Sequence, residues 1–105
     1  STAVPKLIEA LGDGNYSVSS SAAEALGQIG DSTAVSGLIE ALSDRNDWVG
    51  SSAAEALGQI GDSTAVSGLI EALDARGVLV QWEIKQALKK IGTPEALNAL
   101  KQNYD

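Results

Sequence analysis

Residues 20–42 read SSAAEALGQIGDSTAVSGLIEAL, and residues 51–73 repeat the same 23 letters without a change. The offset is 31 residues, and the frame runs past the duplication in both directions. Val18, Val49 and Val80 coincide in it, as do Leu26, Leu57 and Leu88, Ile29, Ile60 and Ile91, and Gly30, Gly61 and Gly92. The opening STAVPKLIEAL falls on STAVSGLIEAL at 32–42 and 63–73, and PEALNALKQNY at 94–104 falls in the same register. A period of this length is too short for a propeller blade and fits a pair of short helices.

Within each unit the apolar spacing is helical. Val18, Ala22, Ala25, Leu26 and Ile29 share one face of a first helix, A, at about 16–29, which recurs at about 47–60 and 78–91. Val35, Leu38, Ile39 and Leu42 form the stripe of a second helix, B, which recurs at 63–73 and more weakly at 94–103. The first eleven residues are also a B helix, with Val4, Leu7, Ile8 and Leu11 in its stripe. Punctuation agrees. Gly30 and Gly61 stand where a left-handed C-cap is needed. Asp31 and Asp62 follow as N-caps for helix B, Asn15 and Asn46 are N-caps for helix A, and Thr93-Pro94-Glu95 places proline at a first helical position. The turns GDGN, SDRN and DARG separate the units.

A two-helix unit cannot bury its apolar face alone, so stacked units must share one core. The chain therefore reads as an all-α, right-handed α-solenoid of about seven helices. Residues 1–105 form a single domain: a partial repeat at 1–12 consisting of helix B only, repeats at 13–43 and 44–74, and a capping repeat at 75–105. The alanine pairs Ala22–Ala23 and Ala53–Ala54 are expected to let neighbouring A helices approach closely.

Composition removes many kinds of chemistry. The 105 residues include no Cys and no His, so disulfides, thiolate metal sites, Cys nucleophiles and the commonest general base are excluded. No cofactor and no metal are expected. The net charge of −7 disfavours nucleic acid. It is unevenly placed: residues 1–75 hold eleven acids and two bases, while residues 76–105 hold five bases and three acids. No apolar run approaches the roughly 20 residues that span a bilayer, so no membrane partner is expected. The absence of Cys and of any signal segment suits a soluble, reducing, cytoplasmic setting.

The pattern V-x-x-x-A-A-x-A-L-G-x-I-G-D-x-x-A-V-x-x-L-I-x-A-L resembles the short HEAT-like repeats of the phycobilisome lyase type, and is similar to the artificial alpha-Rep scaffolds built from them. The resemblance covers nearly the whole chain and implies the fold more than any activity. Ser19 and Gly50 depart from it, standing where such repeats usually carry Arg after the Val. Gly37 and Gly68 lie inside helix B, where each costs up to about 1 kcal/mol relative to Ala. The perfect 23-residue duplication is a mark of an engineered protein, but an idealised design avoids that cost, so the glycines point instead to a recent natural duplication or to a natural repeat reused.

In scaffolds of that kind, exposed A-helix positions do the binding. Carried over by frame, these are Tyr16, Ser17, Ser20, Ser21, Glu24 and Gln28; then Asp47, Trp48, Ser51, Ser52, Glu55 and Gln59; then Val78, Leu79, Trp82, Glu83, Gln86 and Lys90. Tyr16, Trp48, Leu79 and Trp82 are larger and more apolar than a solvated helix face requires, and such a row suits a protein partner. Truncating a tryptophan anchor would cost ~2 kcal/mol or more. Trp82 and Leu79 also have a plainer reading, as cover for the terminal repeat. The serines have no His to activate them and read as small polar surface residues. Glu24, Glu55 and Gln86 fall in one row because the period forces it. Lys85 and Lys89, at i and i+4, read as a solvated capping surface or as contacts for an acidic partner.

The two ends differ. Lys101 and Asn103 replace Ile70 and Ala72 of the frame, which is the polar capping a solenoid end requires. At the other end the stripe Val4, Leu7, Ile8 and Leu11 looks like that of an interior repeat, with no A helix before it. A missing neighbour is expected, supplied by a longer array or by another copy in a homo-oligomer. The leading functional expectation is non-catalytic recognition of a protein partner on the A-helix face. The family resemblance adds a second, an accessory subunit of a phycobilin lyase, and the open end adds a third, self-assembly through that stripe.

Overall fold

Each A helix ends on a glycine, and the first two begin on an asparagine. The side chain of Asn15 accepts from the backbone N–H groups of Ser17 and Val18 at 2.9 and 3.3 Å, and Asn46 does the same for Trp48 and Val49. Gly30, Gly61 and Gly92 take φ of 78°, 73° and 68°, the left-handed region that turns the chain back toward helix B. These signals bound α2 (Tyr16–Ile29), α4 (Asp47–Ile60) and α6 (Val78–Ile91). The B helices are α1 (Ala3–Ala10), α3 (Val35–Ala41), α5 (Val66–Ala75) and α7 (Pro94–Asn103). Thr93 Oγ1 caps α7 by accepting from the Ala96 N–H at 3.1 Å.

The computed structural model describes residues 2–103, with the backbone alone at Asn103. Among the described residues there are seven α-helices and no strand, which is the expected α-solenoid of two-helix repeats. α3 begins on Val35, the first residue of its stripe, whereas α5 begins on Val66, three residues after the expected start at 63. Asp31 accepts from both the backbone N–H and the hydroxyl of Thr33, at 2.9 and 2.8 Å, and Asp62 holds Thr64 in the same way. These clamps tighten Ser32–Ala34 and Ser63–Ala65 into 3-10 turns ahead of α3 and α5.

The A helices lie side by side, α2 on α4 on α6, with the B helices packed behind them. Leu26, Leu57 and Leu88 of the A row and Leu38 and Leu69 of the B row have no solvent exposure. The alanine pairs are buried, and two glycines bring the A helices close as well. A Cβ on Gly27 would lie 2.9 Å from the Cα of Ala56, and one on Gly58 would lie 2.9 Å from the Cα of Ala87. Neighbouring A helices therefore meet backbone to backbone at these glycines. Gly37 and Gly68 also have a packing reason: a Cβ there would press on Ile8 Cγ2 at 3.1 Å and on Ile39 Cδ1 at 2.6 Å. Their helix-weakening cost is the condition for seating an isoleucine of the preceding B helix, so it carries no information about the origin of the repeat.

Position 19 of the frame, which recurs at 50 and 81, faces a carbonyl of the chain just before its A helix, and the three repeats satisfy that region differently, at Leu73, at Asp13 and at Leu42. Gln81 Nε2 donates to the Leu73 carbonyl at 3.0 Å. Ser19, in the same frame position, donates its hydroxyl to the Asp13 carbonyl at 2.7 Å. Gly50 has no side chain to offer. There the guanidinium of Arg76, from the following turn, lies over Gly50 and donates to the Leu42 carbonyl and, at 3.1 Å, to Asp47. Leu42 is the frame equivalent of Leu73, so Arg76 does from outside the repeat what Gln81 does from within it.

The N-terminal end requires a correction. Val4 and Leu11 are buried in the chain's own core, and Leu7 and Ile8 are half-buried against it. The open apolar surface lies instead on the flank of α2. Val18 is 41% exposed and Ile29 45%, whereas Val49 and Val80 are fully buried, because α4 and α6 each follow another A helix in the stack and α2 does not. At the other end Lys101 is exposed, as capping requires, and the side chain of Asn103 lies outside the described residues.

Candidate protein-binding face

The outer rim of the A-helix row carries the large side chains. Trp48 is 54% exposed, Leu79 70% and Trp82 59%. They line one groove of about 380 Å³ between α4 and α6, together with Asp47, Ser51 and Glu83. Val78 and Tyr16 are exposed on the same rim but do not line this groove. Ser17 lies apart from it, in the open furrow between α1 and α2 with Leu7, Ala10 and Val18.

Ser20 is a second correction. It was expected on the accessible face, and it is 1% exposed. Its hydroxyl shares a hydrogen bond of 2.9 Å with that of Ser52, across the α2–α4 seam. Ser51 occupies the same frame position one repeat later and stays half-buried at the edge of the groove. In a solenoid an A helix has two lateral flanks as well as an inner and an outer face, and position 20 belongs to a flank.

Glu24 and Glu55 line one groove, as the expected row places them, and Glu83 joins them there. A second groove of about 260 Å³ continues from the first through Trp48, Ser51 and Glu83, and adds Glu24 and Glu55. The neighbour of Glu55 across the seam is Glu83. Partial burial pushes the Glu83 carboxyl above its ordinary value, the charge of Glu55 raises it further, and Lys90 partly opposes both. Asp47, by contrast, is paired with Arg76. The face thus joins an aromatic groove to a second groove lined by Glu24, Glu55 and Glu83.

Two features of this surface were missed from the sequence. One is the flank of α2, where Val18 and Ile29 matched the core stripe and nothing distinguished them from Val49 and Ile60. The other is the seat of Arg76, for which the only signal was the glycine at position 50. Among the described residues no helix is long and apolar enough to cross a membrane, and no group of three or more acidic, His or Cys side chains is placed to hold a metal ion.

Comparison with known proteins bears on the fold directly. Crystal structures of two engineered proteins from the Northeast Structural Genomics Consortium are similar to this chain, each at 25% identity. One superposes with a TM-score of 0.69 over 95% of this chain and 50% of its own. The other gives 0.63 over 94% of this chain and 30% of its own. The chain thus spans half or less of the length of these relatives. No curated protein matches it in sequence. The family model for HEAT repeats matches twice, over residues 4–78 and 37–105, and together the two matches cover nearly the whole sequence. The chain belongs to the HEAT-repeat family.

Proposed function

We propose that this chain is a non-catalytic recognition scaffold that binds a protein through the outer face of its A helices. The observation that carries the reading is the shared groove of Trp48, Leu79 and Trp82, three large apolar side chains held in water on a rigid row. Stacked repeats present an extended surface, which suits a polypeptide better than a small molecule. Clustered, half-exposed tryptophans are the residue type that most often carries binding energy at protein interfaces.

Affinity selection from a displayed peptide library tests this. Peptides retained by the chain should be lost from Trp48→Ala and Trp82→Ala variants that keep their helical circular dichroism. Retention of the same peptides by both variants would discredit the face.

A second reading has its own observation. Val18 and Ile29 are exposed where their repeats at 49 and 80, and at 60 and 91, are covered or half-covered. Self-association through the α2 flank would cover them. Sedimentation velocity over a range of concentrations should then show a dimer that Ile29→Glu abolishes, and a strict monomer at the highest soluble concentration excludes it.

A further inference from the structure

Two observations converge on the groove between α4 and α6. Its walls are the indoles of Trp48 and Trp82 with Leu79, and its edge is the Glu83 carboxylate. Through Glu83 it opens onto Glu55 and Glu24. We infer that this groove takes an arginine side chain from a cationic peptide segment, with the guanidinium against the indole faces and its charge beside Glu83 and Glu55. The inference rests on the reading of this face as a protein-binding surface and adds the chemistry of the partner.

Charge complementarity selects the occupant. Residues 1–75 carry eleven acids and two bases, and besides Asp47, which is paired with Arg76, the double groove is lined by three carboxylates of the A helices, Glu24, Glu55 and Glu83. Glu83 and Glu55 repel each other, and Lys90 offsets that only in part. A guanidinium placed between the indoles and Glu83 relieves the repulsion and gains cation–π attraction at once. An acidic segment would meet the three carboxylates. An uncharged apolar segment would fill the groove but desolvate Glu83 further with nothing to balance it. Arginine suits the site better than lysine, because its flat, weakly hydrated guanidinium stacks on an indole while its N–H groups bond a carboxylate. The chain's own Arg76 is already committed to Leu42 and Asp47.

The test uses fluorescein-labelled nonapeptides with two arginines and one leucine in a glycine–serine background. Siblings carry lysine, glutamine or glutamate at the two arginine positions. Binding is read by fluorescence anisotropy at low and at physiological salt. The arginine peptide should bind, the lysine peptide more weakly, and the glutamine and glutamate peptides at least about tenfold more weakly. Trp82→Ala and Glu83→Gln should each weaken the arginine peptide by about fivefold or more, with helical circular dichroism retained. Glu40→Gln, an exposed carboxylate on the B-helix side, should leave it unchanged. If the arginine and glutamine peptides bind alike and Trp82→Ala weakens both, the recognition face stands and the cationic occupant is overturned. If Glu40→Gln weakens binding as much as Glu83→Gln does, the attraction is diffuse and the site is overturned. If no peptide binds, the arginine site is overturned, while the library selection above still judges the recognition face by itself.

Discussion

Removing Arg76 should cost this small domain a large part of its stability, although the residue sits in a turn. Its side chain is only 11% exposed and lies in the space that Gly50 leaves open. It donates to the Leu42 carbonyl, one of the acceptors that a helix end leaves without an intrahelical partner. A hydrogen bond from a charged donor in a half-buried setting is worth about 1.5–3 kcal/mol. The ion pair to Asp47, whose side chain is 57% exposed, adds under about 1 kcal/mol. Arg76→Ala should therefore lose about 2 kcal/mol, while Asp47→Asn should lose under about 0.5 kcal/mol. For 105 residues the unfolding entropy is about 0.22 kcal/mol/K, so the Arg76→Ala loss lowers Tm by about 9 °C.

The companion change is Gly50→Gln, which installs at position 50 the residue type that already reaches the equivalent carbonyl from position 81. In an Arg76→Ala background it should restore most of the loss. In the parent background it displaces the guanidinium, whose Nη1 would lie 3.0 Å from a new Cβ. Glutamine also gains helix propensity over glycine, but that gain enters both backgrounds and cancels in a double-mutant cycle. Urea unfolding followed at 222 nm measures all four proteins, with an unchanged m-value as the check that the denatured state is common. A coupling energy near zero, or an Arg76→Ala loss under about 0.5 kcal/mol, would show that the carbonyl does not need the guanidinium.

Gly58→Ala should destabilise by about 1–3 kcal/mol despite better helix propensity, because its Cβ meets the Ala87 backbone; Gly68→Ala should cost less, since it meets the movable end of Ile39. Paired urea titrations give the order, and equal losses would contradict it. Val49→Ala should cost about 2–3 kcal/mol and Val18→Ala under about 1 kcal/mol, the same substitution in the same frame separated only by the helix that covers one of them. Thr33 and Thr64 hold the carboxyls of Asp31 and Asp62 below the ordinary value, so their stabilisation is present above the usual carboxylate range and is lost as pH falls through the folded values. Thermal melts from neutral to strongly acidic pH should show Asp62→Ala approaching the parent at the acid end. Glu83 has the opposite sign: its folded value is raised, so its charged form opposes folding, and Glu83→Gln should raise Tm at neutral pH and leave it unchanged in acid.

The repeat made most of the fold legible and part of the site illegible, for one reason. A period of 31 residues with asparagine, glycine and aspartate at fixed places states where helices begin and end, and α2, α4 and α6 have the expected bounds. Hydrophobic periodicity separates the inner face from the outer face. It is silent on the two flanks by which an A helix meets its neighbours, and there the expectations for Ser20, Val18 and Ile29 went astray. The flank does have a signal, carried by substitution along the frame. Gly27 and Gly58, which touch the next helix, become Lys89; Ala23 and Ala54 become Lys85; Ser20 and Ser51 become Trp82. Small residues turn large or charged at the third unit, beyond which no further A helix packs among the described residues. Trp82 can stand in water as a groove wall because its frame position has lost the neighbour that kept it small. The groove is thus a product of the end of the stack, where a repeat pattern is free to change.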